Sequence, residues 1–307
     1  MPTVREPMTR RGWLLFAAMS LIWGVPYLLI KVAVEHLEPV VIVFGRTSIA
    51  AVLVLALAKR SGAVAAAARH WKLVLAFAAI EMAGPWFLLT NAEKRLPSGL
   101  TGLIVACVPM VGAIAAYLLG DHHALAPLRM VGIAVGLGGV ALLVAHDLGG
   151  SDGIPWWSVA QMLLVCVGYA TAPFIVARRL DDVPALGVVA ISLTAVALLY
   201  APLAWNARPD DSPPAKVWWA VVALAVVCTG VAFIVFFALI SEVGPERATL
   251  ITFVNPAVAI VLGASVLDEK ITAVTVAGFF LVLGGCWLAT RPDKAARPTV
   301  VDLEPAR

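Results

Sequence analysis

Gly132-Ile-Ala-Val-Gly-Leu-Gly-Gly-Val-Ala-Leu-Leu-Val144 aligns without a gap on Gly278-Phe-Phe-Leu-Val-Leu-Gly-Gly-Cys-Trp-Leu-Ala-Thr290, and five of the thirteen positions are identical. The offset is 146. Two proline pairs, Pro26 with Pro173 and Pro109 with Pro256, repeat at 147, so a loop shorter by one residue reconciles the two spacings. Each motif lies inside a long apolar run. The chain therefore reads as one membrane unit written twice, and a unit with an odd number of spans must lie in the bilayer the opposite way up from its copy.

Composition agrees with this reading. Hydrophobic residues make up 62% of the 307 residues and charged ones 13%, far from the roughly 45–50% and 25% of soluble domains. Apolar runs of about 20 residues match a hydrocarbon layer about 30 Å thick. The sequence predicts ten, at residues 12–34, 39–58, 71–92, 98–119, 128–146, 154–178, 184–204, 215–240, 248–267 and 272–290. They must be helices, because lipid offers the backbone no hydrogen-bond partners and the runs do not alternate as barrel strands do. The expected fold is an all-α integral membrane protein of ten transmembrane helices in two inverted five-helix repeats, 12–148 and 149–290, between tails 1–11 and 291–307.

Lys and Arg are unevenly divided between the alternate loops. Fifteen fall with the two tails on one side, six on the other, and Arg46 falls inside a span. Short basic segments stay cytoplasmic, which predicts a multi-pass protein of the plasma (inner) membrane with both termini in the cytoplasm. The net charge of +3 is thus a topology signal and gives no case for nucleic-acid binding. Cys107, Cys166, Cys228 and Cys286 stand singly within spans, without metal-ligand or disulfide spacing. No phosphate loop, metalloprotease helix or nucleophile elbow occurs, and the loops are too short for a catalytic domain. The expectation is a non-enzyme without cofactor or metal, whose partners are a small-molecule substrate, membrane lipids and, as a candidate coupling ion, protons.

Proline removes one helical hydrogen bond and frees the carbonyl four residues earlier. Pro26, Pro85, Pro109, Pro173 and Pro256 are therefore predicted helix breaks, and matched breaks in two halves point to a midplane site. Two ionisable residues lie deep. Glu81 is near the middle of the third span and Arg46 about eight residues into the second; either would cost at least about 2.5–3.5 kcal/mol at the bilayer centre without a protein or wet surrounding. They are candidates for a coupling or structural ion pair, and Glu81 alternatively for a proton-binding or substrate-ammonium-binding carboxylate. Trp23 and Tyr27 share a helix face at i and i+4, and Tyr169 occupies the matching region of the sixth span. With Glu81, Trp86, Thr229, Phe233 and Asn255 they form the candidate substrate-binding set, and Gln161 is a further buried polar group.

These residues resemble the EamA-type drug/metabolite transporters over nearly the whole chain. The resemblance rests on Ile22-Trp23-Gly24 with Tyr27 behind it, Arg46 after Pro39, Pro109 and Pro256, and Glu269 thirteen residues after Pro256, followed by Gly278 and its Leu-Gly-Gly run. One departure is Asp121-His122-His123 where the first copy of the pattern usually carries a glutamate; His122 stands opposite Glu269. The resemblance implies movement of small metabolites by alternating access through a central cavity, here lined by spans 1, 3, 4, 6, 8 and 9. Amino acids or related amphipathic solutes moving outward are the expected cargo. An ungated facilitator and a non-transporting membrane scaffold are the alternatives.

Overall fold

The computed structural model describes residues 8–148 and 155–290. The rest of the two tails and the repeat boundary expected at 148/149 lie outside the described residues. Within them the regular structure is helical. Nine helices are long and apolar enough to cross a membrane: α1 (Arg10–Val34), α2 (Pro39–Arg60), α3 (Trp71–Ala92), α4 (Ser98–Leu118), α5 (Pro127–Ala145), α6 (Trp156–Arg179), α7 (Ala185–Asn206), α8 (Ala215–Val243) and α9 (Thr249–Val266). A further apolar helix, α10 (Ala273–Ala289), has 17 residues. The hydropathy boundaries hold within three residues, while the short helix Ala63–Ala68, in the connection between α2 and α3, was not foreseen.

Packing follows small residues. The glycines of the opening motif bring α5 and α10 into backbone contact, since a Cβ on Gly132 would lie 2.5 Å from the Ala289 nitrogen and one on Gly285 would strike the Gly136 nitrogen. Close approach of this kind gives membrane helices the van der Waals contact that replaces hydrophobic drive. Elsewhere α2 lies along α7, α4 meets α9, α1 runs beside α8, and α3 beside α6. Exchanging each helix for the one five places later maps this set of contacts onto itself.

Polar ties divide the loops between two ends of the bundle. At one end Glu38 pairs with Lys94 at 2.7 Å, Glu35 with Lys216 at 3.6 Å, and Glu269 reaches the start of α4. At the other, Thr9 donates to Glu242 at 2.6 Å and Arg11 lies 3.6 Å from the same carboxylate.

The prolines have unequal effects. Helical bonding is interrupted at Val25 before Pro26, at Ala106–Cys107 before Pro109, and at Val254 before Pro256. Pro85 follows a π-helical turn, Ala78–Ala83. Pro173 does not break its helix, contrary to the sequence expectation: α6 continues unbroken from Trp156 to Arg179. One missing donor is tolerated there because the flanking turns keep their bonds, and Thr171 Oγ1 adds one of 2.7 Å to the Val167 carbonyl.

Candidate functional site

Spans α3 and α8 carry the irregularity that organises the centre. The π turn Ala78–Ala83 in α3 has a counterpart at Val226–Val231 in α8, displaced by 148 residues at both ends. Glu81 and Thr229 are each the fourth residue of their turn. Single π turns recur at functional sites because the extra residue widens the helix and re-aims side chains. In α8 the hydroxyl of Thr229 fills the widened turn, donating to the Leu224 carbonyl five residues back at 2.8 Å. In α3 a neighbour helps instead, with Tyr200 Oη of α7 donating to the Ala83 carbonyl at 2.9 Å.

Arg46 sits between these turns. Its Nε donates to Thr229 Oγ1 at 2.8 Å, and its Cζ lies 3.8 Å from the Trp86 ring centroid, a stacked cation–π arrangement. Tyr169 and Tyr27 are within its electrostatic reach. These partners come from α1, α3, α6 and α8, so the guanidinium lies among helices of both halves, and Arg46 is only partly buried there.

The expected Arg46–Glu81 pair does not form; among the described residues no ion pair joins them. Thr229 and Trp86 occupy Arg46, while Glu81 Oε2 is buried without a hydrogen-bond partner and Tyr169 feels both charges. Trp23 and Tyr27 also separate, because the interruption at Val25 falls between them. Trp23 packs edge-on to Phe233 (6.4 Å) and against Phe236 (4.7 Å), whereas Tyr27 lies in the core beside Gly102. Asn255 is held by structure: its amide nitrogen donates to the carbonyls of Ile251 (3.0 Å) and Ser20 (3.1 Å), tying α9 to α1. Gln161 accepts from Asn91 at 3.2 Å. Arg46, Trp86, Thr229, Tyr27, Tyr169 and Glu81 thus gather at the centre, with Trp23 and Phe233 edge to face at one side. The four cysteines are free and buried.

Sequence reading missed two buried polar groups. Glu93 looks like a loop residue beside Lys94 and Arg95 but is 0% exposed, and neither carboxylate oxygen has a hydrogen-bond partner. Burial holds its carboxyl well above the usual carboxylate range, with the nearby Lys31 opposing. Lys31 is not a loop cation either; its Nζ donates to the carbonyls of Glu93 and Leu96, both at 2.8 Å. Nothing in hydropathy distinguishes such groups from solvated neighbours. Glu269 finds a role that its family position did not specify. It accepts from Ser98 N (2.7 Å), Ser98 Oγ (3.0 Å) and Gly99 N (3.2 Å), neutralising the positive start of α4. The side chain of its counterpart, His122, lies outside the described residues. A hollow of about 270 Å³ opens beside Glu269, with Pro97, Leu100, Leu103 and Ile260 on its walls.

Sequence comparison places this all-helical bundle, with its charged, aromatic centre, among membrane transporters. The profile of the EamA-like transporter family matches residues 10–145 and 156–291, once per half, and the chain belongs to that family. It is 27% identical over 259 residues to an inner membrane transporter, YedA, of Escherichia coli, covering 84% of this chain and 83% of that one. It is 26% identical over 308 residues to the transporter YvbV of Bacillus subtilis, covering 97% of each. A solved crystal structure with 21% identity superposes with a TM-score of 0.64 over 91% of this chain and 96% of the other, a likeness of fold.

Proposed function

We propose that the protein is a secondary transporter of the inner membrane that exports amino acids or related amphipathic solutes by alternating access around a midplane cavity. In this reading ten spans form two inverted five-helix repeats, 12–148 and 149–290, with both termini cytoplasmic. The exchange pattern of helix contacts, the matched π turns and the two-ended distribution of loop ties support the inverted repeat. The named relatives support the inner membrane, and the basic-residue bias supports the orientation.

The observation that carries the reading is the position of Arg46. A guanidinium is costly in a bilayer, and one that faces a bundle interior typically marks a solute or ion pathway; Arg46 lies between helices of both halves, where rocking of one against the other would change its surroundings. Trp86, Tyr27 and Tyr169 offer flat, partly polar walls suited to an amphipathic solute. Glu81 is the candidate proton- or ammonium-binding group, because an unsatisfied carboxylate in an interior site gains most from either ligand.

The test is an untargeted comparison of metabolites released by cells with and without the intact protein. Protein-dependent release of amino acids or amphipathic relatives is expected; release profiles that do not differ would remove the carrier reading. Proton coupling is tested separately, by replacing Glu81 with Gln and following transport in proteoliposomes with and without an imposed pH gradient. Gradient dependence unchanged by the substitution would discard it.

A further inference from the structure

We propose that the two terminal nitrogens of Arg46 receive a carboxylate of the transported solute, with the Trp86 ring as the platform beneath; the assignment rests on the carrier reading above. The guanidinium is only half used by the protein. Its Nε is committed to Thr229 and one face is covered by Trp86, while among the described residues Nη1 and Nη2 have no hydrogen-bond partner and the side chain is only partly buried. What remains free is the end-on fork, two parallel N–H donors whose spacing matches the two oxygens of a carboxylate.

Among the described residues no carboxylate takes that place. Glu93 lies within electrostatic reach of Arg46 but outside ion-pair distance, and Glu81 is likewise unpaired. The charge at the site also limits the ligand. Lys31, a half-buried cation of α1, has its ammonium bound to two backbone carbonyls. One guanidinium therefore faces the ligand, which suits a monoanion better than a doubly charged phosphate. Glu81 and Arg46 both lie within electrostatic reach of Tyr169, and a carboxylate near the guanidinium adds no second cation to the site.

Proteoliposomes containing the full chain are loaded with equal amounts of L-phenylalanine, 3-phenylpropionate, L-phenylalanine amide and phenethylamine, and the efflux of each is followed. The two carboxylates should leave about tenfold faster or more than the two compounds without one, since a site built around a hydrogen-bonded group rejects analogues lacking it. Arg46→Gln should abolish that preference. Arg46→Lys, which keeps the charge but loses the fork, should restore it in part and serves if the glutamine variant does not fold. Amide leaving as fast as acid in the unmodified protein, or a preference surviving in folded Arg46→Gln, overturns the assignment. So does a cargo without an anionic group in the release comparison, and that outcome leaves the carrier reading standing. Release profiles identical with and without the protein remove both.

Discussion

The two π turns occupy equivalent places in the two halves and are finished in opposite ways. In α8, Thr229 is 1% exposed, donates into its own turn and accepts from Arg46, so every polar atom it brings is used. In α3, Glu81 brings a charge and leaves an oxygen unpartnered, and the turn borrows its hydroxyl from Tyr200 of another helix. Duplication kept the backbone device and let the side chains diverge. One copy holds Arg46 through Thr229, and the other leaves a carboxylate oxygen without a partner.

Making the α3 turn resemble its mate should have the largest effect. Glu81→Thr is expected to lower transport by about tenfold or more, the scale of one lost charged contact. It should also leave thermal stability unchanged or raised, because an unsatisfied buried oxygen disappears. Proteoliposome flux and detergent-solubilised melting, measured on the same preparation, check both halves of that expectation. The opposite perturbation, Thr229→Val, removes the acceptor of Arg46 and the donor to Leu224. It should destabilise the protein by about 1–3 kcal/mol and reduce flux together with stability, whereas Glu81→Thr should separate the two.

A smaller effect is expected at the borrowed hydroxyl. Tyr200→Phe leaves the Ala83 carbonyl without its partner and should cost about 1 kcal/mol in equilibrium unfolding, with a marginal change in flux. The smallest concerns Glu93, whose raised carboxyl means that the folded protein binds a proton more tightly than the unfolded chain does. Stability should then fall as pH rises above the ordinary carboxylate range. Melting curves across neutral to mildly alkaline pH should slope downward in the unmodified protein and flatten in Glu93→Gln; parallel curves would show that Glu93 does not titrate there.

The spans and their glycine seam were legible because hydropathy and small-residue spacing are one-dimensional signals. Arg46 was legible as a central residue for the same reason, since a charge eight residues into an apolar run is visible in any window. Its partner was not. Thr229 lies 183 residues away, and its part depends on a π turn in α8 that, unlike the one in α3, is followed by no proline. Glu93 was misplaced because a Glu-Lys-Arg run resembles a solvated loop, and only the packing of α1 over the end of α3 removes the first of those charges from water.

Glu269 belongs to the second half, yet the amides and hydroxyl it terminates, at Ser98 and Gly99, begin a helix of the first. A lone five-helix copy would accordingly start its fourth span with bare donors and nothing to quiet them. Severing the chain between its halves should yield a first fragment that matures only when the second is synthesised with it and supplies the missing stopper.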